Sequence, residues 1–153
     1  VSDYVDHTVC AECGGVCCKG ASGITFPRDF GFTAVEIETA LVAAFASGMW
    51  IVDHWEGYCP SVPDGSEGRF VRPRHDTDPC DPVECATWGG HCLFLFADGC
   101  ALPDDSRPTT CRSLEPARKP NPCTQHIEDQ KLEAARQWWR YRGALSRAIA
   151  RAS

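Results

Sequence analysis

Apolar residues recur at helical intervals in two stretches of this chain and alternate at strand intervals in two others. In the first helical stretch Thr33 has the place of an N-cap and Glu36 closes a capping box. Phe32 and Ile37 have hydrophobic-staple spacing, and Val35, Leu41, Val42 and Phe45 can line one side. Gly48 follows as the residue that ends the helix. Residues 49–55 then read as a strand, with Trp50 and Val52 on one face and Ile51 on the other. Phe70-Val-Arg-Pro73 is set to pair with it in an antiparallel hairpin across a long polar loop. A further short apolar strand is expected over residues 92–96, followed by a turn at Asp98-Gly99. The last element is expected to be one long helix over about residues 123–150, capped by Asn121 with Pro122 at its first position. Ile127, Ala134, Trp138, Leu145 and Ile149 give that helix a single packing face. Residues 24–26 read as a short extended piece; residues 75–90 and 103–122 read as irregular loop. This pattern is α+β: a short antiparallel sheet, one mid-chain helix, a long C-terminal helix and irregular loops.

A length of 153 residues fits one domain spanning residues 1–153 and is enough to bury a core without a covalent or metal staple. The net charge of −6 argues against nucleic acid as a partner. One region departs from that balance. Arg136, Arg140, Arg142, Arg147 and Arg151 fall on the last helix with no acid among them, a face that is either solvated or docks an acidic protein. The longest apolar run, residues 40–46, is far below the ~20 residues that span a bilayer, so no membrane is expected. No basic, apolar-cored signal opens the sequence, and the expected location is cytoplasmic.

The cysteines change the picture most. There are 11, and four fall in nine residues, Cys10-Ala-Glu-Cys13-Gly-Gly-Val-Cys17-Cys18. The total is odd, and adjacent cysteines rarely bridge each other because a disulfide holds its two Cα atoms well apart. Cys10 and Cys13 have the spacing with which two thiolates chelate one ion from a tight turn. Clustered thiolates repel, and a bound cation removes that cost. Buried structural thiols and a disulfide framework are the alternatives, and neither accounts for four thiols in one knuckle as well as a metal does. Further ligands are Cys92, at the opening of the apolar strand, and Cys100, after the Asp98-Gly99 turn. Cys111 is flanked by Arg107 and Arg112, whose charge offsets a polythiolate site. Cys123 falls at a helix start, where the dipole favours thiolate.

In this order the motifs Cys10-x-x-Cys13-x-x-x-Cys17-Cys18, Gly90-His-Cys92-Leu-Phe-Leu95, Asp98-Gly-Cys100-Ala-Leu102, Arg107-Pro-x-x-Cys111-Arg112 and Cys123 resemble the bacterial-type YkgJ family. That family is described as a zinc- or iron-chelating CxxCxxxCC domain, also as iron–sulfur-cluster-containing proteins. The resemblance covers about residues 9–125 and implies metal binding, with no defined reaction. Eight thiolates serve two four-cysteine sites or one polynuclear cluster. The adjacent Cys17 and Cys18 are atypical of structural zinc ribbons, which favours an iron–sulfur cluster, of the four-iron, four-sulfur type, over zinc. Trp50, Trp55, Trp88, Phe94 and Phe96 are candidates for its apolar shell, or ordinary core.

Cys59, Cys80 and Cys85 fall outside this set. With His54, or with His75 in its place, they have the donors of a Cys₃His zinc site; Cys80 and Cys85 as a disulfide is the alternative. Catalytic signatures do not stand out. Asp29, Asp53 and Glu56 read more simply as turn or surface acids. The expected function is therefore thiolate metal binding, either as a redox or sensing cluster or as a zinc-stabilised interaction module.

Overall fold

The computed structural model describes residues 18–19, 22–55, 68–79, 83–85, 89–96, 99–112 and 127–153. Helix α1 covers Ala34–Ala46 and begins as the sequence indicates. Thr33 Oγ1 accepts from Glu36 N–H while the Glu36 carboxylate accepts from Thr33 N–H. Its buried stripe is Ile37, Leu41 and Phe45, spaced four apart, and Gly48 leaves the helix at φ +74°. Two expectations for this helix fail. Val35 is 75% exposed and Phe32 is 74% exposed, so neither joins the core. Phe32 lies instead under the Arg28 guanidinium, 4.7 Å from the ring centroid, and no staple holds the entry.

Strands β1 (Trp50–Trp55) and β2 (Gly68–Pro73) form the expected antiparallel hairpin, with Val52 opposite Val71. Both outer edges are covered. Residues 83–85 run parallel along β1, through Val52 N–H to Val83 O and Cys85 N–H to Val52 O. On the β2 side Thr25 N–H and Oγ1 both donate to Val71 O. Val52 and Val71 belong to the main core with Ile24, Leu41, Trp138 and Leu145, and Trp50 packs against it. By alternation Ile51, Asp53, Phe70 and Arg72 share the opposite face, and Phe70 nonetheless belongs to the main core.

The 92–96 strand is shorter than expected. Leu93 and Phe94 form a turn, and only β3 (Leu95–Phe96) pairs with β4 (Gly99–Cys100). Cys92 makes a separate antiparallel bridge to His75. The expected turn residue Asp98 lies outside the described residues, and its neighbour Gly99 has φ +111°. The 103–112 part of the expected loop is not irregular. It holds a 3₁₀ turn at Asp104–Ser106 and the short helix α2 (Thr109–Arg112).

The long C-terminal helix is two helices, α3 (Ile127–Arg140) and α4 (Arg142–Ala152); its expected start at residues 123–126 lies outside the described residues. The break is at Tyr141, with φ −110° and ψ 22°. Its N–H bonds back to Trp138 O, tightening the last turn of α3, while its carbonyl accepts from Leu145 N–H to start α4. The reason is packing: α3 lies on β2 whereas α4 lies on α1, and one straight rod does not serve both surfaces. Ala134, Trp138, Leu145 and Ile149 still face the core. The arginine face is divided with the helix. Arg147 and Arg151 both pair with Glu38 of α1, Arg136 pairs with Glu133, and Arg142 stacks on Trp139.

One polar group sits at the centre of the sheet. Arg72 is fully buried; its Nε donates to Asp53 Oδ2 at 2.7 Å, and Nη1 and Nη2 clamp the Asp78 carboxylate at 2.8 and 3.0 Å. Burial alone would lower the Arg72 pKa, but Asp78 and Asp53 outweigh it and raise the pKa above its ordinary value. Asp78 also accepts from His75 N–H at 2.6 Å, closing the 75–78 turn. His75 is buried, and its Nε2 accepts from Ser22 N–H at 2.7 Å, so that nitrogen bears no proton. Burial, reinforced by the Arg72 charge, lowers the His75 pKa from 6.5 to about 4.

Two predictions follow from this centre. Arg72→Met leaves two carboxylates buried without their cation and lowers unfolding stability by about 3–5 kcal/mol, read from the urea midpoint; a midpoint shift under a third of that refutes the central role. For His75 the folded form binds fewer protons than the unfolded form between pH 6.5 and 4. Its contribution is present in full above about pH 6.5 and is lost as pH falls towards 4, about 3 kcal/mol in all. His75→Gln, which retains an acceptor for Ser22 N–H, removes that increment of acid sensitivity. Parallel stability–pH curves for the two proteins over this range would contradict the assignment.

Candidate metal centre

Of the eight proposed thiolates, Cys18, Cys92, Cys100 and Cys111 are among the described residues; Cys10, Cys13, Cys17 and Cys123 lie outside them. The four come from segments far apart in sequence, and backbone contacts connect the segments of Cys18, Cys92 and Cys100 in series. Cys18, in a helical residue pair with Lys19, accepts through its carbonyl from Cys92 N–H at 2.9 Å. Cys92 is buried and bridges His75. Its own carbonyl accepts from Leu95 N–H, and Leu95 is paired with Cys100. Cys111 enters from the other side. Its Sγ occupies the place where a Cβ on Gly23 would fall, and Gly23 follows Ser22, the residue bonded to His75. Ser22 therefore contacts His75, the bridge partner of Cys92, and the adjacent Gly23 contacts Cys111.

Two local devices deliver these cysteines. Gly89 and Gly90 have φ +109° and +116°, and a side chain on Gly90 would strike Asp76 and Thr77. That close approach lets His91 N–H reach Asp76 Oδ1 and Asp76 N–H reach His91 O, which sets Cys92 beside His75. On the other side Asp29 anchors α2. Its Oδ2 accepts from Phe26 and Thr109 N–H, and its Oδ1 accepts from the Thr109 hydroxyl and Arg112 Nη2. Ile24 N–H donates to Thr110 Oγ1, which sets the same segment against residues 23 and 24. Asp29 is thus a buried anchor and not the turn or surface acid its sequence context suggests. Gly23 and Asp29 were not legible as site residues: a lone glycine and a Pro-Arg-Asp triplet have no spacing that points to a partner 80 residues away. Among the expected shell aromatics, Trp50 touches Phe94 with centroids 5.3 Å apart, while Phe96 is 61% exposed and shields nothing. Trp88 lies outside the described residues.

The proposed second site is not assembled among the described residues. Val52 lies beside Glu84, so Glu84 and His54 share one face, with His54 Nε2 3.4 Å from Glu84 Oε1. Cys85 is level with Asp53 on the opposite face, and its Sγ is 3.8 Å from Asp78 Oδ1. His54 and Cys85 thus point away from each other. The alternative donor, His75, has its Nε2 engaged by Ser22, and Cys59 and Cys80 lie outside the described residues. Among the described residues no three His, Cys, Asp or Glu side chains converge as a metal-binding group, and no helix is long and apolar enough to cross a membrane. No protein-family model, curated protein or solved structure matches this chain.

If Cys111 Sγ is held where a Gly23 side chain would stand, Gly23→Ala displaces it. The expected outcome is a loss of at least half the bound metal per folded protein. Gly143→Ala, on an exposed helix position where only the flexible Arg147 side chain is near, is the control and keeps full metal content. Equal metal content in the two variants would remove Gly23 from the site.

Proposed function

We propose that this protein holds a metal centre through cysteine thiolates, with an iron–sulfur cluster as the group bound. The observation that supports the reading most is a chain of contacts across separate segments: Cys18 to Cys92, Cys92 through His75 to Ser22, and Gly23 to Cys111. Thiols gathered in this way are costly as bare thiolates and favourable as ligands. The chemistry of the donor set fits soft metal ions, and Cys10, Cys13, Cys17, Cys100 and Cys123 supply the remaining sulfurs, enough for a four-iron, four-sulfur cluster. We place the chain with the CxxCxxxCC proteins on the same residues, and in the cytoplasm, where thiols stay reduced. When bound, the cluster would exchange single electrons; the buried Cys92 and the Trp50–Phe94 contact nearby would limit solvent access and so tune its potential.

Purification without oxygen tests this directly. The expected protein is brown, with broad visible absorbance and matching amounts of iron and acid-labile sulfide. Cys13→Ser and Cys111→Ser each lower both. Colourless protein with stoichiometric zinc removes the cluster and leaves thiolate binding standing; protein with no metal and few titratable thiols removes both.

A further inference from the structure

A cleft of about 220 Å³ opens between α1, the start of β1 and the segment before α2. It is lined by the aromatic residues Phe30 and Trp50, by Thr25 and Pro108, and by two acids, Asp29 and Asp105. Drug-sized ligands and cofactors occupy about 300–1,000 Å³, so this space suits a small group. The two acids differ. Asp29 has both oxygens engaged by four donors and its charge balanced by Arg112. Asp105 is exposed at the rim, and its described contact is the neighbouring Ser106 hydroxyl at 3.4 Å. The lining thus combines two aromatic residues with a rim carboxylate whose described contact is a hydroxyl. An organic cation satisfies both features: ring faces attract it through their quadrupole, and a carboxylate at the rim attracts it through charge. A neutral apolar group would use only the rings; an anion would be repelled.

We propose that this cleft binds a small organic cation, the head group of an alkylammonium compound, between Trp50 and Asp105. Its position gives the site a neighbour. Pro108 lines the cleft and also packs, with Cys111, at the point where a Gly23 side chain would stand. The cleft and Gly23, the neighbour of the proposed ligand Cys111, therefore share Pro108 as a common contact. The proposal itself does not depend on which metal is bound there, or on whether any is.

Equilibrium dialysis of the purified full chain with radiolabelled tetramethylammonium tests it, with tert-butanol as a neutral competitor of similar size. Saturable binding of one equivalent is expected, little affected by tert-butanol. Asp105→Asn, an exposed change that leaves the core untouched, weakens it about three- to fivefold. Ala44→Leu, which adds bulk to the cleft wall from α1, reduces it at least tenfold. Circular dichroism verifies that both variants are folded. Absence of saturable binding, displacement by equimolar tert-butanol, or unchanged affinity in both variants overturns the proposal.

Discussion

The Arg72 guanidinium is the contact on which the rest of this structure depends. A cation with no exposed surface is tolerable only if its charge and its donors are all answered. Here Asp53 comes from the neighbouring strand and Asp78 from a turn six residues on, and Pro73 O takes a further bond. The consequence is geometric. Asp78 has to be drawn in beneath the hairpin, and that fixes the 75–78 turn, since Asp78 also accepts from His75 N–H. The position of His75 is a result of the ion pair and not an independent choice of the chain.

From His75 the constraint passes to the cysteines. Its imidazole nitrogen takes the Ser22 N–H, and its backbone bridges Cys92, whose N–H in turn holds the Cys18 carbonyl. A neutral ring suits this role because protonation of Nε2 would replace an acceptor by a donor facing another donor. Burial and Arg72 both act in that direction. The same arginine that orders the turn thus also keeps the histidine in the form that the Ser22 contact requires. On the far side Asp29 plays the corresponding part for Cys111, with Arg112 as its cation. Each arm of the cysteine region is therefore tied down by a carboxylate–guanidinium pair, Arg72 with Asp53 and Asp78 on one side and Arg112 with Asp29 on the other.

Rules were readable in the sequence wherever the partner lay in the same turn or in the next strand along the chain. The Thr33 and Glu36 box, the Gly48 terminus and the β1–β2 hairpin all follow from such rules. What the sequence did not disclose depends on distant partners. Val35 obeys helical spacing yet is exposed, because the buried stripe was set by what α1 packs against, namely α4. The 123–150 periodicity persists across Tyr141 while the surface to be covered changes, so the pattern alone hid the bend. The cysteine list was readable as chemistry, since residue type and spacing state which donors exist. Gly23 and Asp29 were not, because their value lies in contacts with residues 108–112 that no spacing rule encodes.

The faces of β1 also explain why His54 and Cys85 do not meet. His54 and Cys85 look compatible on paper, five cysteine and histidine donors being near in sequence. Strand alternation sends them to opposite sides, one towards Glu84 and the other towards the Arg72 centre. By contrast Cys18, Cys92 and Cys111 lie outside the hairpin, in a helical pair, an isolated bridge and α2, and connect to residues 22 and 23 through His75 and Gly23. Irregular backbone is costly unless its polar groups are answered. Here the Cys18 carbonyl, the Cys92 N–H and the N–H groups of Ser22 and Ile24 each have a partner within the described residues. The contacts that satisfy this backbone are thus among those that link the Cys18, Cys92 and Cys111 segments, while the sheet separates His54 from Cys85.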